Sequence, residues 1–165
     1  MARDRKPAVA KTGEISSARR QPPGDLKTRA RAATGLCLAR ASRNLARRVT
    51  QIYDRHLAVH DFSLPQFAML MMIAAAKDDT LGALAIEAGL DPSTLTRNLQ
   101  GLEKLDLVEI ASIDEDLRRR AVWLTEIGAR RVSAAIPAWD EAQREVVAIL
   151  GAKFTADLTR ASLSL

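Results

Sequence analysis

The segment between Thr80 and Thr125 constrains the fold most strongly, because two short helical patterns, a tight turn and two alternating stretches follow each other in order. Gly89 separates the two helical patterns and permits a tight turn, since glycine accepts a positive φ without steric cost. Asp91 is a preferred N-cap residue, and Pro92 occupies the first helical position, where its missing amide hydrogen is not needed. We therefore predict two short helices that meet at this glycine.

The second helix, predicted from residue 92 to about 105, has one apolar and one polar face. Its leucines recur at helical spacing and are expected in the core. Such a pair is a helix-turn-helix, whose second helix enters the major groove of double-stranded DNA. A plain helical hairpin with a solvated polar face is the alternative. The expected core leucines are Leu95, Leu99, Leu102 and Leu105, and the expected DNA contacts are Ser93, Thr94, Thr96, Arg97 and Asn98.

A charged stretch separates two predicted strands, 107–110 and 121–124, which would pair as a β-hairpin, or wing. The stretch contains Asp116, Arg118 and Arg119. An arginine at the tip of a wing suits the negative potential of a narrow minor groove, and Asp116 would orient it by a charge-assisted hydrogen bond. A solvated turn is the alternative, so the functional interpretation depends on the position of the stretch after the helix-turn-helix.

The composition favours a helical protein with one domain and extensions. Of the 165 residues, 47% are hydrophobic and 4% are aromatic, and alanine and leucine dominate. The single Cys37 excludes an internal disulfide framework and suits a reducing cytoplasm. A membrane span is not expected because the chain lacks a run of about 18 apolar residues. The charged N-terminus also lacks the apolar part of a secretory signal.

The positive charge is concentrated in residues 1–33. They contain nine Lys/Arg against three Asp/Glu, or +6, which leaves −1 for the rest of a chain whose total is +5. The segment has no apolar periodicity and several prolines and glycines, so we predict a disordered basic tail. Such a tail is either simply solvated or adds a salt-dependent attraction to phosphates.

Helical patterns flank the central segment on both sides. One precedes Ser63, which with Pro65 predicts the start of a helix that is apolar nearly all round. Thr125 is expected to cap a long helix that contains Pro137, where we expect a bend. This helix should end at Gly151, and a shorter final helix is predicted after it.

Several short motifs lie at matching spacings within residues 34–165. They are Leu64-Pro65-Gln66-Phe67, Leu84-Ala85 with Gly89-Leu90, Ser93-Thr94-Leu95-Thr96-Arg97, Leu102-Glu103, and Asp116-x-Arg118 followed by Leu124-Thr125 and Gly128. Together these motifs resemble the MarR family of winged-helix regulators. The resemblance implies a mainly α fold with a small β-wing, in which a winged helix-turn-helix lobe joins a helical dimerisation lobe. It assigns 34–60 and 126–165 to dimerisation and 63–125 to DNA binding.

The resemblance implies a homodimeric transcriptional regulator, usually a repressor, that binds a pseudo-palindromic operator and responds to a small aromatic ligand. By position, Ser93, Thr94, Thr96 and Arg97 would be recognition-helix contacts, and Arg118 would be the wing arginine steadied by Asp116. The chain departs from the family at two positions, since Asp106 replaces a usual glycine and Ile110 a common arginine. An architectural or accessory DNA-binding dimer without ligand sensing is the alternative function.

Three features of the sequence are candidate sensors of a signal. Cys37 is expected to be a small, semi-buried packing residue, with a redox switch as the alternative. His56 and His60 have a spacing that can bind a metal, but we expect ordinary packing or surface roles and no metal. A ligand pocket between the lobes, with plain core as the alternative, would be lined by Tyr53, His56, Met69, Met72 and Trp139.

Catalysis is not expected. The sequence has no Gly-rich phosphate loop, metal cluster or nucleophile-base motif, and two histidines and one cysteine offer little material for one. No cofactor is expected for the same reason. The predicted partners are double-stranded DNA, a second copy of the chain and a small aromatic ligand.

Overall fold

The computed structural model describes residues 24–112, 120–162 and 164. The chain divides into two compact units, one up to residue 41 and one from residue 42 onwards. The helices and strands are α1 (Gly24–Leu36), α2 (Leu38–Leu57), α3 (Leu64–Ala75), α4 (Leu81–Ala88), α5 (Pro92–Glu103), β1 (Val108–Ser112), β2 (Arg120–Leu124), α6 (Glu126–Leu150) and α7 (Ala152–Ser162), with a 3-10 turn at Ala58–His60. The predicted fold class, mainly α with a small β-wing, is confirmed.

The first unit differs from the predicted disordered tail. Residues 24–33 belong to α1, although disorder was expected up to residue 33. Alanine, arginine, lysine and leucine favour helix, and Asp25 in the first turn favourably faces the positive end of the helix dipole. No residue of α1 is buried. Residues 1–23 lie outside the described part of the chain.

Cys37 stands between α1 and α2 outside either helix, and its side chain is exposed. The sequence predicted a semi-buried position inside one helix beginning near residue 34. The expectation is wrong because the helix is interrupted at this residue, with α1 ending at Leu36 and α2 beginning at Leu38. The cysteine therefore does not pack in a core.

The core of the second unit is built around α3. This helix begins with a capping box, in which the Gln66 side chain accepts from the backbone N–H of Ser63 at 3.0 Å. Phe67 and Leu70 are fully buried. No single described helix is long and apolar enough to cross a membrane, although α2 with its 3-10 turn and α3, joined by a sharp bend, meet the length and composition criteria as a pair.

The prediction that Leu105 lies in the core is wrong. Leu105 is 50% exposed, whereas Leu107 is 1% exposed. The reason is that α5 ends at Glu103 and Asp106 then adopts a left-handed backbone, with φ of +57°. After this turn Leu107, and not Leu105, belongs to the hydrophobic core.

The long helix α6 begins as predicted. Thr125 Oγ1 accepts a hydrogen bond from the backbone N–H of Gly128 at 2.9 Å, which is an N-cap contact. Pro137 lies inside the helix. The helix ends at Gly151, whose φ of +84° favours glycine, and α7 follows.

Candidate nucleic-acid interface

The turn between α4 and α5 has the geometry that the sequence predicted. Thr80 caps α4 by accepting from the backbone N–H of Ala83 at 3.3 Å. Gly89 has a φ of +62°, and the following Leu90 N–H donates to the carbonyl oxygen of Ala85 at 3.0 Å. These contacts close the C-terminal end of α4 and direct the chain into α5. The helix-turn-helix is therefore formed by local backbone chemistry together with core packing.

The α5 helix has the two faces that its sequence predicts. Leu95, Leu99 and Leu102 are at most 2% exposed and belong to the hydrophobic core. The opposite face is polar and accessible. Ser93, Arg97 and Asn98 are exposed, and Thr94 and Thr96 are partly exposed. All five predicted recognition-helix residues are therefore at least partly accessible, with Thr94 and Thr96 on opposite flanks of the polar face.

Asp91 organises the first turn of this surface. Its Oδ1 atom accepts from the backbone N–H groups of Ser93 and Thr94 at 3.1 and 3.0 Å. The two side-chain hydroxyls also donate to its carboxylate, each at 2.6 Å. These side-chain hydrogen bonds, followed by that of the Thr94 amide, hold the pKa of Asp91 well below its usual range. The carboxylate therefore stays ionised and caps α5.

Arg97 lies on the exposed side of α5, one turn after Ser93. Its Nη2 atom donates to Ser93 Oγ at 3.4 Å, so the guanidinium keeps most of its donors for another partner. A cavity of about 260 Å³ lies beside it. The cavity is lined by residues of α3 and α5, namely Pro65, Gln66, Met69, Arg97, Asn98, Gly101 and Leu102.

The hairpin after α5 is anchored at its base. β1 and β2 are antiparallel, with Val108 opposite Leu124 and Ser112 opposite Arg120. Asp79, in the loop before α4, accepts from the backbone N–H of Val122 at 3.0 Å through its carbonyl oxygen. The predicted wing residues Asp116, Arg118 and Arg119 lie outside the described residues.

The two departures from the family pattern have structural explanations. Asp106 takes the left-handed conformation that glycine would adopt, and its carbonyl oxygen accepts from Thr125 Oγ1 at 2.6 Å. Ile110 is partly buried against the core and stands opposite Val122 in the hairpin. An apolar residue therefore suits position 110 in this chain.

Of the predicted ligand set, only Met69 is among the residues that line the cavity between α3 and α5. The rings of Tyr53 and Trp139 lie 6.3 Å apart, and the Tyr53 hydroxyl donates to Gln143 Oε1. Burial raises the pKa of the Tyr53 phenol. Met69 lines the cavity between α3 and α5, and Met72 packs against the core.

His56, the remaining member of the set, contacts acidic residues of α6. Its Nε2 atom lies 2.8 Å from Glu145 Oε2, and Arg55 donates to the other oxygen of Glu145 at 2.6 Å. These contacts, with the hydrogen bond to His56 the largest, lower the pKa of Glu145. His60, in contrast, lies in the 3-10 turn, where its carbonyl oxygen accepts from Arg131 at 3.0 Å.

Sequence reasoning missed the contacts that Asp79 makes with β2. The indole Nε1 of Trp123 donates to Asp79 Oδ2 at 2.7 Å, so this residue contacts β2 through both its backbone and its side chain. The sequence offers one signal for such a contact, which is Trp123 on the polar face of an alternating strand. An indole N–H generally finds a hydrogen-bond acceptor. The identity of that acceptor required the fold.

Comparison with known proteins places this arrangement in a family. A model described as MarR family matches residues 60–119, which include α3, α4 and α5. The transcriptional regulator HosA of Escherichia coli O127:H6 is 33% identical over 119 residues. That match covers 68% of this chain and 88% of HosA.

Solved structures with the same fold include DNA complexes. The Mycobacterium tuberculosis transcriptional regulator MosR, solved in complex with DNA, is 31% identical with a TM-score of 0.66. That match covers 78% of this chain and 97% of MosR. A mutant MarR of E. coli, complexed with operator DNA, shares the fold with a TM-score of 0.71 at 23% identity, over 80% and 95% of the two chains. The fold and the relationship to HosA together show that this chain belongs to the MarR family of transcriptional regulators.

Proposed function

We propose that the chain is a homodimeric repressor that binds a pseudo-palindromic DNA operator, with α5 in the major groove and the hairpin beside it. The observation that carries this proposal is the polar face of α5 over its three buried leucines. Ser93, Thr94, Thr96, Arg97 and Asn98 are its proposed contacts on α5. MosR, which has this fold and 31% identity, was solved with DNA.

The wing contacts follow the family pattern. We propose that Arg118 and Arg119 contact DNA and that Asp116 steadies Arg118. The hydrogen bonds of Asp79 to β2 support this, since they fix the direction of the strand that follows the tip. Arg120, at the start of β2, is exposed beside the tip and carries further positive charge.

Dimerisation is proposed for the terminal helices, within residues 34–60 and 126–165. At the end of the second unit, several apolar side chains are exposed to solvent in a single chain. Ile149 is 62% exposed, and Phe154 and Leu158 on α7 are also exposed. Burial of such side chains against a second copy removes apolar surface from water, which favours association.

A small aromatic ligand remains part of the proposal. Tyr53 and Trp139, which lie close together, would contribute to a site near the dimer helices, with His56, Met69 and Met72 as the other proposed lining residues. We also propose that the protein acts in the cytoplasm without catalysis. A regulator bound to chromosomal DNA has no need of a chemical step.

Selection of duplexes from a random pool by the full-length protein tests this function. We expect a two-part sequence whose halves are about 10 base pairs apart, as a symmetric dimer requires. Scrambling one half should weaken binding steeply, by about tenfold or more, because each mismatched base pair costs about 1–3 kcal/mol. Equal affinity for selected and scrambled duplexes would instead support an architectural protein and contradict the proposed regulator.

A further inference from the structure

The first turn of α5 presents hydroxyl groups whose hydrogen atoms are already used within the protein. Ser93 Oγ donates to Asp91 Oδ1 and Thr94 Oγ1 donates to Asp91 Oδ2, both at 2.6 Å. Thr96 Oγ1 donates to the carbonyl oxygen of Pro92 at 2.8 Å. The direction of these bonds is fixed, because an ionised carboxylate and a carbonyl oxygen only accept, and a hydroxyl has one hydrogen to give.

The same three oxygen atoms are poor partners for DNA phosphates. To donate to a phosphate, Ser93 or Thr94 would have to break its bond to the Asp91 carboxylate, and bonds of this charge-assisted kind are stronger than neutral ones. The carboxylate is also exposed at the helix start and would repel a nearby phosphate. A hydroxyl oxygen can also accept two hydrogen bonds, and this capacity is used in part at Ser93 Oγ, where Arg97 Nη2 donates at 3.4 Å.

In the major groove, the groups that donate hydrogen bonds are the exocyclic amino groups, N6 of adenine and N4 of cytosine. We propose that Ser93, Thr94 and Thr96 act as acceptors that select these amino groups. Asp91 fixes the polarity of the first two without touching DNA, and the Pro92 carbonyl fixes that of Thr96. Phosphates and the acceptor edge of guanine are then left to donors such as Arg97 and Asn98. This inference rests on the proposed function, because it assigns the chemistry of the same interface.

Base analogues that lack only the amino group test the proposal directly. In a duplex selected by the full-length protein, purine replaces each adenine and 2-pyrimidinone replaces each cytosine, one position at a time. We expect at least one position per half-site to lose affinity by about tenfold with the wild-type protein. The loss should shrink to less than about threefold in Ser93→Ala, Thr94→Val or Thr96→Val, because the acceptor is then absent.

Substitution of the positioning residue tests the polarity itself. Asp91→Asn keeps an oxygen that can cap α5, but its amide NH₂ donates to Thr94 Oγ1 and leaves the threonine hydrogen free to point outward. We expect tighter binding to scrambled duplexes and a lower ratio of selected to scrambled affinity, by about fivefold or more. Glu87→Gln, on the exposed part of α4, makes the same charge change and should keep the wild-type ratio.

The possible failures are distinguishable. A wild-type protein that selects no sequence contradicts the proposed function, and the inference with it. A protein that selects a sequence but tolerates amino deletion at every position contradicts the inference alone. Equal ratios for Asp91→Asn and Glu87→Gln, with both variants folded by circular dichroism, also overturn the role of Asp91. A reduced ratio for Asp91→Asn alone supports it.

Discussion

The indole N–H of Trp123 donates a hydrogen bond to the carboxylate of Asp79 at 2.7 Å, across 44 residues of sequence. The carbonyl oxygen of the same aspartate accepts from the neighbouring Val122 N–H. These two hydrogen bonds fix the orientation of β2 relative to the loop before α4. The hairpin that we propose to contact DNA is therefore coupled at Asp79 to the loop before α4, outside the recognition helix itself.

Loss of this coupling should weaken DNA binding more than it destabilises the protein. We expect Trp123→Phe and Asp79→Ala to lower affinity for a selected duplex by about three- to tenfold, since one hydrogen bond contributes about 0.5–1.5 kcal/mol. Asp79→Asn keeps an acceptor oxygen and is the matched control. A double-mutant cycle by fluorescence anisotropy measures the coupling, and additive effects of Trp123→Phe and Asp79→Ala would contradict it.

The start of α6 tolerates only glycine at position 128. A Cβ atom there would overlap the carbonyl oxygen of Leu107, which itself accepts from the Thr125 N–H. We expect Gly128→Ala to lower the free energy of unfolding by about 1–3 kcal/mol, the usual cost of overpacking. Gly82→Ala, with nothing within 4 Å of its added Cβ, is the control. Equal free energies of unfolding for Gly128→Ala and the wild type, measured by urea denaturation, would contradict the close approach of Gly128 to Leu107.

Glycine, the usual residue of the family at position 106, should make the protein more stable than Asp106 does. Its φ of +57° places it in the left-handed region, which costs a non-glycine residue about 1–2 kcal/mol. We expect Asp106→Gly to raise the thermal midpoint and Asp106→Ala to lower it, because alanine lacks the short polar side chain that helps Asp to adopt the left-handed region. Calorimetry of both variants decides, and a stabilising Asp106→Ala would contradict the left-handed turn.

The contact between α2 and α6 predicts a pH dependence of stability. Hydrogen bonds from His56 and then Arg55 lower the folded pKa of Glu145 below its ordinary value of 4.5. The stabilising contribution should be complete above that value and disappear as pH falls through the lower folded pKa. Glu145→Gln should therefore destabilise the protein at pH 6 and approach wild-type stability in acid. A constant difference between the two proteins across this range, in denaturation at each pH, would contradict the assignment.

Local chemistry explains which features could be predicted from the sequence. The caps at Thr80, Asp91 and Thr125 and the turn at Gly89 depend on nearby residues, and the structure has each of them. The Leu105 prediction failed because a left-handed turn at Asp106 ended the helical periodicity early.

Long-range placement could not be predicted in the same way. The bond from Trp123 to Asp79 and the contact of His56 with Glu145 depend on how distant elements pack. Helix α1 was missed because its sequence lacks apolar periodicity, although its residues favour helix.

Binding of a selected duplex by Arg97→Ala, against Arg144→Ala as an arginine control outside residues 63–125, tests the central claim most directly when both variants are dimers in solution. We predict that Arg97→Ala loses about tenfold or more in affinity, while size-exclusion chromatography still finds a dimer. The dependence of affinity on salt distinguishes two causes of this loss. A lost phosphate contact lowers the slope of log affinity against log salt concentration by about one, whereas a lost base contact does not. Equal affinities for Arg97→Ala, Arg144→Ala and the wild type would contradict the assignment of α5 as the recognition helix.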